Sequence, residues 1–318
     1  MNRLILAFFL LAFQVSSAFA AKSLRIGELA YGTLDWELAT IRKQKLDEKY
    51  HFELEMRPLA NAQAGKIALQ SGAVDVIVSD WVWVSRQRNE GANYTFSPYS
   101  STSGALMVAA DSPIKQVQDL SGKRIGIAGG ELDKNWLLLR ALGEERQIDL
   151  DATVEKVYGA PPLLNQQLMQ GNLDAILTYW HYAARLEAQG YREVLNGESI
   201  LAALGIEPPL PTLGYVFSAD WAQSHPQLIV NFLAASREAK NLLCESDPAW
   251  AEISSLTRTE DPAVQNRFRQ KYCAGRIHQW GEAHHKLAAK VFTLLHEIAG
   301  KKLTGPSTEL APGTFWNE

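Results

Sequence analysis

Cysteine is nearly absent from this chain. Only Cys244 and Cys273 occur in 318 residues, too few for a disulfide framework or a four-cysteine metal site. Long apolar runs are missing as well. Beyond Leu4 to Phe13, no segment approaches the roughly 20 residues that cross a bilayer. Positive charge is not in excess: 31 Lys and Arg against 35 Asp and Glu give a formal charge of -4. The basic residues are scattered, which argues against a nucleic-acid-binding face. No G-x-S-x-G, H-E-x-x-H or P-loop occurs, and neither Gly27-Glu28 nor Gly129-Gly130 completes a dinucleotide fingerprint. No enzyme activity, cofactor or nucleic-acid partner is expected.

What is present begins at the amino terminus. Arg3 precedes the apolar run, and Ala18-Phe19-Ala20 precede Ala21, the pattern of a secretory signal over residues 1–20, cleaved near Ala20. No cysteine follows it, so no lipid anchor is expected and the location expected is the periplasm. Removing 20 from 318 leaves 298 residues, enough for two domains that each bury a core. An oxidising compartment permits Cys244 and Cys273 to pair; two buried thiols are the alternative.

The chain repeats itself at an offset of 99 residues. Arg25-Ile26-Gly27 matches Arg124-Ile125-Gly126, and Phe52 to Leu59 lies opposite Ala152 to Tyr158. The stretch Gly72 to Trp81 then matches Gly171 to Trp180 as G-x-x-D, three apolar residues, Ser or Thr, one residue, Trp. Arg86 and Gly91 keep register with Arg185 and Gly190. Short apolar runs read as strands. Helical stretches stand between them at Leu34 to Lys49, Ala62 to Ser71, Leu132 to Arg146 and Pro162 to Gln170. Strands alternating with helices predict a parallel sheet covered on both faces. Two copies predict two such lobes, with the ligand edges of the sheets facing each other across a cleft that closes about a hinge. A later strand is expected at Gly214 to Ser218, and an amphipathic helix near Ala283 to Ile298.

At Gly104 to Ile114, followed by Asp119-Leu120-Ser121-Gly122-Lys123-Arg124-Ile125-Gly126-Ile127, the chain resembles the periplasmic binding proteins of the nitrate, sulfonate, taurine and thiamine-precursor importers. Gly214 to Trp221 with Pro226 and Asn231-Phe232-Leu233 carries the same likeness. The resemblance implies a type 2 periplasmic-binding-protein fold, two doubly wound α/β lobes joined by a two-strand hinge. It implies lobe 1 over 21–108 and 214–318, and lobe 2 over 109–213. It also implies a monomer that delivers a small molecule to an ABC permease in the inner membrane. An accessory of a periplasmic enzyme or cofactor system, built on the same fold, is the alternative.

Residues just after strands open into such a cleft. On lobe 1 they are Glu28, Tyr31, Asp35, Trp36, Asp80 and Trp81, with Ser100 to Ser103 before the crossing. On lobe 2 they are Gly129, Gly130, Glu131, Leu132, Tyr158, Tyr179 and Trp180. Trp81 and Trp180 occupy equivalent positions and either clamp a flat or cationic ligand or plug their own lobes. Gly129-Gly130 at a helix start offers an anion seat, but Glu131 and Asp133 already complement that end. With Glu28, Asp35 and Asp80 opposite, the expected ligand is a neutral or cationic heteroaromatic or amine-bearing compound rather than a sulfonate or other oxyanion. His278, Glu282 and His285 fall on one face only if that segment is helical, and a solvated face is the expected reading over a metal site.

Overall fold

The computed structural model describes residues 22–29 and 32–317. The signal segment at residues 1–20 and the candidate Tyr31 lie outside the described residues. Ten strands form two five-stranded sheets. Strands β1 (Lys22–Leu29), β2 (Phe52–Leu59), β3 (Val76–Asp80) and β4 (Tyr94–Ser100) come first, and β5 (Gly104–Val108), β6 (Arg124–Ile127), β7 (Glu155–Tyr158), β8 (Ala175–Tyr179) and β9 (Arg192–Asn196) follow. Strand β10 (Leu213–Ser218) returns to the first sheet. The orders are β2-β1-β3-β10-β4 and β7-β6-β8-β5-β9. In each sheet three parallel strands are followed by an antiparallel one.

The 99-residue repeat is thus a repeat of topology, and its motif has a structural cause. The G-x-x-D aspartate closes each unit back onto its first strand. Asp75 accepts the Arg25 N–H at 2.9 Å and pairs with its guanidinium, and Asp174 accepts the Arg124 N–H at 2.8 Å. The glycine three residues earlier turns the chain at a positive φ, 71° at Gly72 and 72° at Gly171, where a side chain is strained. A Cβ on Gly126 would meet the Leu173 side chain at 2.9 Å, so a side chain on this strand would have to push that leucine aside.

Three expectations shift. The stretch Leu34 to Lys49 is two helices, Leu34–Lys43 and Leu46–Lys49, divided where Lys45 takes φ 53°. Residues Leu150–Thr153 form a helical turn, so only Glu155–Tyr158 of the expected Ala152 to Tyr158 pairs as strand. The change of sheet falls between Ser100 and Gly104, not after Val108, because β5 pairs with β8 and β9 in the second sheet. An apolar run of this kind carries no mark of which sheet it joins.

Beyond β10 the chain is helical and spans both lobes. Helix Pro262–Ala274 packs on helix Trp180–Ala188 of lobe 2, and Lys271 reaches Glu187 at 3.1 Å and Glu193 at 2.6 Å. Cys244 and Cys273 are joined, tying helix Pro226–Glu245 to that inter-lobe helix with a sequence separation of 29. Closing a loop of this size in the unfolded chain is worth about 3–4 kcal/mol. The double variant Cys244→Ser/Cys273→Ser is therefore expected to unfold at correspondingly lower denaturant than the oxidised parent. A loss under about 1 kcal/mol would show that α-helical packing alone holds the segment.

Candidate functional site

The carboxyl ends of β1, β3, β6 and β8 meet the facing lobe, and the segments that follow them build the contacts. Asp80 ends β3 and caps helix Trp81–Asn89 by accepting the Trp83 N–H at 2.9 Å. Its other oxygen receives the Lys134 ammonium of lobe 2 at 3.0 Å. Burial opposes its ionisation, but Lys134, Lys66 and the Trp83 N–H together hold the carboxyl below its ordinary range. Asp133 caps helix Lys134–Glu145 through the Trp136 N–H at 3.0 Å.

The paired tryptophans do not face each other. Trp81 is 1% exposed, donates from Nε1 to the Pro211 carbonyl at 3.0 Å and packs on Phe315. Trp180 meets Trp36 across the lobes at a centroid distance of 6.0 Å, within a cluster that includes Trp250, Phe268 and Tyr272. Trp36 is equally buried and its Nε1 reaches the Leu256 carbonyl. All three rings are core. The first residue of a helix at a strand end turns either into its own lobe or towards the facing one; Trp81 turns inward, and Trp180 packs against the facing lobe.

The other candidates divide. Ser103 bonds Asn135 at 3.1 Å and its carbonyl accepts the Trp180 N–H, a structural role. Glu131 is exposed and pairs with Lys302. Gly130 has open space around it at φ 75°. Tyr158 and Tyr179 are exposed, 47% and 41%. Asp35 and Glu28 each keep one buried oxygen without a hydrogen-bond partner. His278 precedes helix Glu282–Ala299, so it shares no helical face with His285, and among the described residues no group of three His, Cys, Asp or Glu could hold a metal.

The space between the lobes is a cavity of about 520 Å³. Lobe 1 lines it with Lys66, Asp80, Trp83 and Arg86, lobe 2 with Gly129, Leu132 and Lys134, and the carboxyl-terminal segment with Lys302. Its charges nearly cancel in pairs. Lys134 faces Asp80, Arg86 pairs with Glu90 at 2.9 Å and Lys302 with Glu131. Among the described residues Lys66 has no such partner, and it lies over the Trp83 ring at 5.1 Å. Burial pulls its ammonium below the ordinary lysine range, against the pull of Asp80. Sequence reasoning missed these cations. Lys66, Arg86, Lys134 and Lys302 come from distant segments and show no local pattern. The one available signal was that Lys66 lies in a helix after β2, at the same sheet edge as the candidates chosen.

A second, smaller cavity of about 40 Å³ lies between Gly32, Thr33 and Trp36 of lobe 1 and His181, Tyr182 and Arg185 of lobe 2. Both ring nitrogens of His181 are buried without a partner. Burial, then the charge of Arg185, lowers its pKa to about 3, so the imidazole is neutral.

Two doubly wound lobes of matching topology, enclosing a polar cavity to which both contribute, define the two-lobed type 2 periplasmic-binding-protein fold. The solved structures agree on the fold. The periplasmic aliphatic sulphonate binding protein SsuA from Escherichia coli superposes with a TM-score of 0.74 at 19% identity, covering 93% of this chain and 92% of that one. The alkanesulfonate-binding protein SsuA from Xanthomonas axonopodis pv. citri bound to MOPS gives 0.72 at 18% identity, covering 93% and 98%. A relative from Escherichia coli (strain K12), named as an aliphatic sulfonates-binding protein, is 29% identical over 236 residues, 72% of this chain and 70% of its own. The family model "NMT1/THI5 like" matches residues 52–249, and the chain belongs to that family.

Proposed function

We propose that this chain is the periplasmic solute-binding component of an ABC importer, and that its solute is a small organic monoanion of the sulfonate class. The observation that carries the reading is Lys66, a part-buried ammonium without a carboxylate partner among the described residues, in a cavity that both lobes enclose. One uncompensated positive charge calls for one negative charge. The sulfonate-binding relative supports that class. Of the acids that argued against an anion, Asp80 faces Lys134 and Glu131 faces Lys302. The aromatic clamp that favoured a flat ligand is occupied in packing. The role is capture by lobe closure and delivery to a permease, without turnover.

A panel of short alkanesulfonates, a carboxylate and uncharged analogues, followed by thermal shift and calorimetry, tests the ligand class. Binding at 100 times Kd adds about 2.7 kcal/mol to stability, a shift of several degrees. Stabilisation by the uncharged analogues alone would sink the anion assignment. Loss of sulfonate uptake on deletion of this gene, restored by the parent chain, tests the transport role separately.

A further inference from the structure

We infer that the small cavity between the lobes binds a compact inorganic anion of halide size, held between Arg185 of lobe 2 and Arg258 from the helical segment beyond β10, as an ion distinct from the solute. The cavity of about 40 Å³ draws on both lobes, and the charged side chains that line it are these two guanidiniums; among the described residues no Asp or Glu lines it. It shares no lining residue with the larger cavity around Lys66. One water-sized group needs about 10–15 Å³ of such space. The cavity therefore admits a small ion and not the body of an organic solute.

The lining supplies donors. Arg185 lies over the Phe268 ring at 4.9 Å and gives Nη2 to the Thr257 carbonyl at 2.7 Å, one bond from a fork of five donors. His181 lines the same cavity, and among the described residues both its ring nitrogens are buried without a hydrogen-bond partner. Its neutral ring carries one N–H to donate. Buried polar atoms ordinarily find partners, and an anion at this place is one. The charges call for the same occupant. Burial lowers the Arg185 pKa first; Tyr182 opposes that shift and the like charge of Arg258 adds to it. Arg258 also pulls on Asp35, but burial and Glu28 push that carboxyl up to about 7, so near neutrality it is only a partial counter-charge. Glu187, on the helix of Arg185, is taken by Lys271 at 3.1 Å. Guanidiniums keep their protons and are weakly hydrated, which suits them to a partly buried anion. One negative ion between the two cancels their repulsion across the lobes.

The test is chlorine-35 line broadening by the full chain, joined to thermal melts in sodium chloride against sodium gluconate at fixed ionic strength. The parent is expected to broaden the chloride line in excess of gluconate-matched controls, to lose that excess to bromide, and to melt about 3 °C higher once chloride reaches about ten times Kd. Arg185→Gln and Arg258→Gln should each weaken half-saturation about tenfold or more. Arg185→Lys keeps the charge without the fork and should lose less. The line width is read on folded protein, so a variant that melts earlier still reports on binding. Lys66→Met should broaden the line as the parent does, so this site and the solute reading fail separately. No excess broadening by the folded parent, or unchanged half-saturation in both glutamine variants, would overturn the site. So would displacement of chloride from Lys66→Met by methanesulfonate at equal concentration, because the cavity would then seat the head group of the solute.

Discussion

Lys240→Met is expected to destabilise the fold by about 3 kcal/mol, the lower end of the range for orphaning one partner of a buried ion pair. Glu37 is wholly buried in the first helix of lobe 1. Its carboxylate takes Lys240, the Tyr215 hydroxyl, the Ser236 hydroxyl at 2.6 Å and the Tyr272 hydroxyl at 3.2 Å. These groups come from that helix, β10, helix Pro226–Glu245 and helix Pro262–Ala274, so one carboxylate pins four elements. Methionine fills the space of the lysine stem but leaves a buried negative charge. The three hydroxyls remain as donors, which places the loss at the low end. The melting temperature should fall by about 6–12 °C. The double variant Glu37→Gln/Lys240→Met removes both charges and should recover most of the loss. A single variant as stable as the parent would mean that the hydroxyls alone satisfy the carboxylate.

Lys66→Met should do the opposite: ligand affinity falls and stability does not. The ammonium is part-buried, without a carboxylate partner among the described residues and depressed in pKa by burial, so replacing it by an apolar group of similar length relieves a desolvation cost. A charge-assisted hydrogen bond to an anionic head group is worth about 1.5–3 kcal/mol, so affinity for an alkanesulfonate should drop about 10- to 100-fold. Lys66→Arg should retain part of it. Equal affinity in parent and Lys66→Met, measured by calorimetry, would remove Lys66 from the site. A fall in both stability and affinity would make its role structural.

The division into two lobes was legible because it is local. The G-x-x-D turn recurs with its Asp closing onto Arg25 or Arg124, and each of those contacts is set within one β-α-β-α-β unit. The candidate positions after β1 and β3 were legible for the same reason, and Asp35 and Asp80 stand there. The electrostatics of the cleft were not. They depend on pairs such as Lys134 with Asp80 and Lys302 with Glu131, whose members are 54 residues apart in the first case and come from opposite ends of the fold in the second. Counting acids at one edge, without their partners, made the cleft look more negative than it is. Trp81 and Trp180 sit where the repeat places them, yet the packing of each ring is decided by Pro211, Phe315 and Trp36 in other segments.

The exchange of strands between halves also sets an order of assembly. All five strands of the second sheet lie in one continuous stretch, from β5 to β9, whereas the first sheet lacks its fourth member until β10 is available. A chain emerging amino terminus first thus begins one lobe, completes the other, and only then closes the first, leaving β3 and β4 with unpaired edges in the interval. The lobe that starts last finishes first, and the earlier one must wait in a sticky, half-built form.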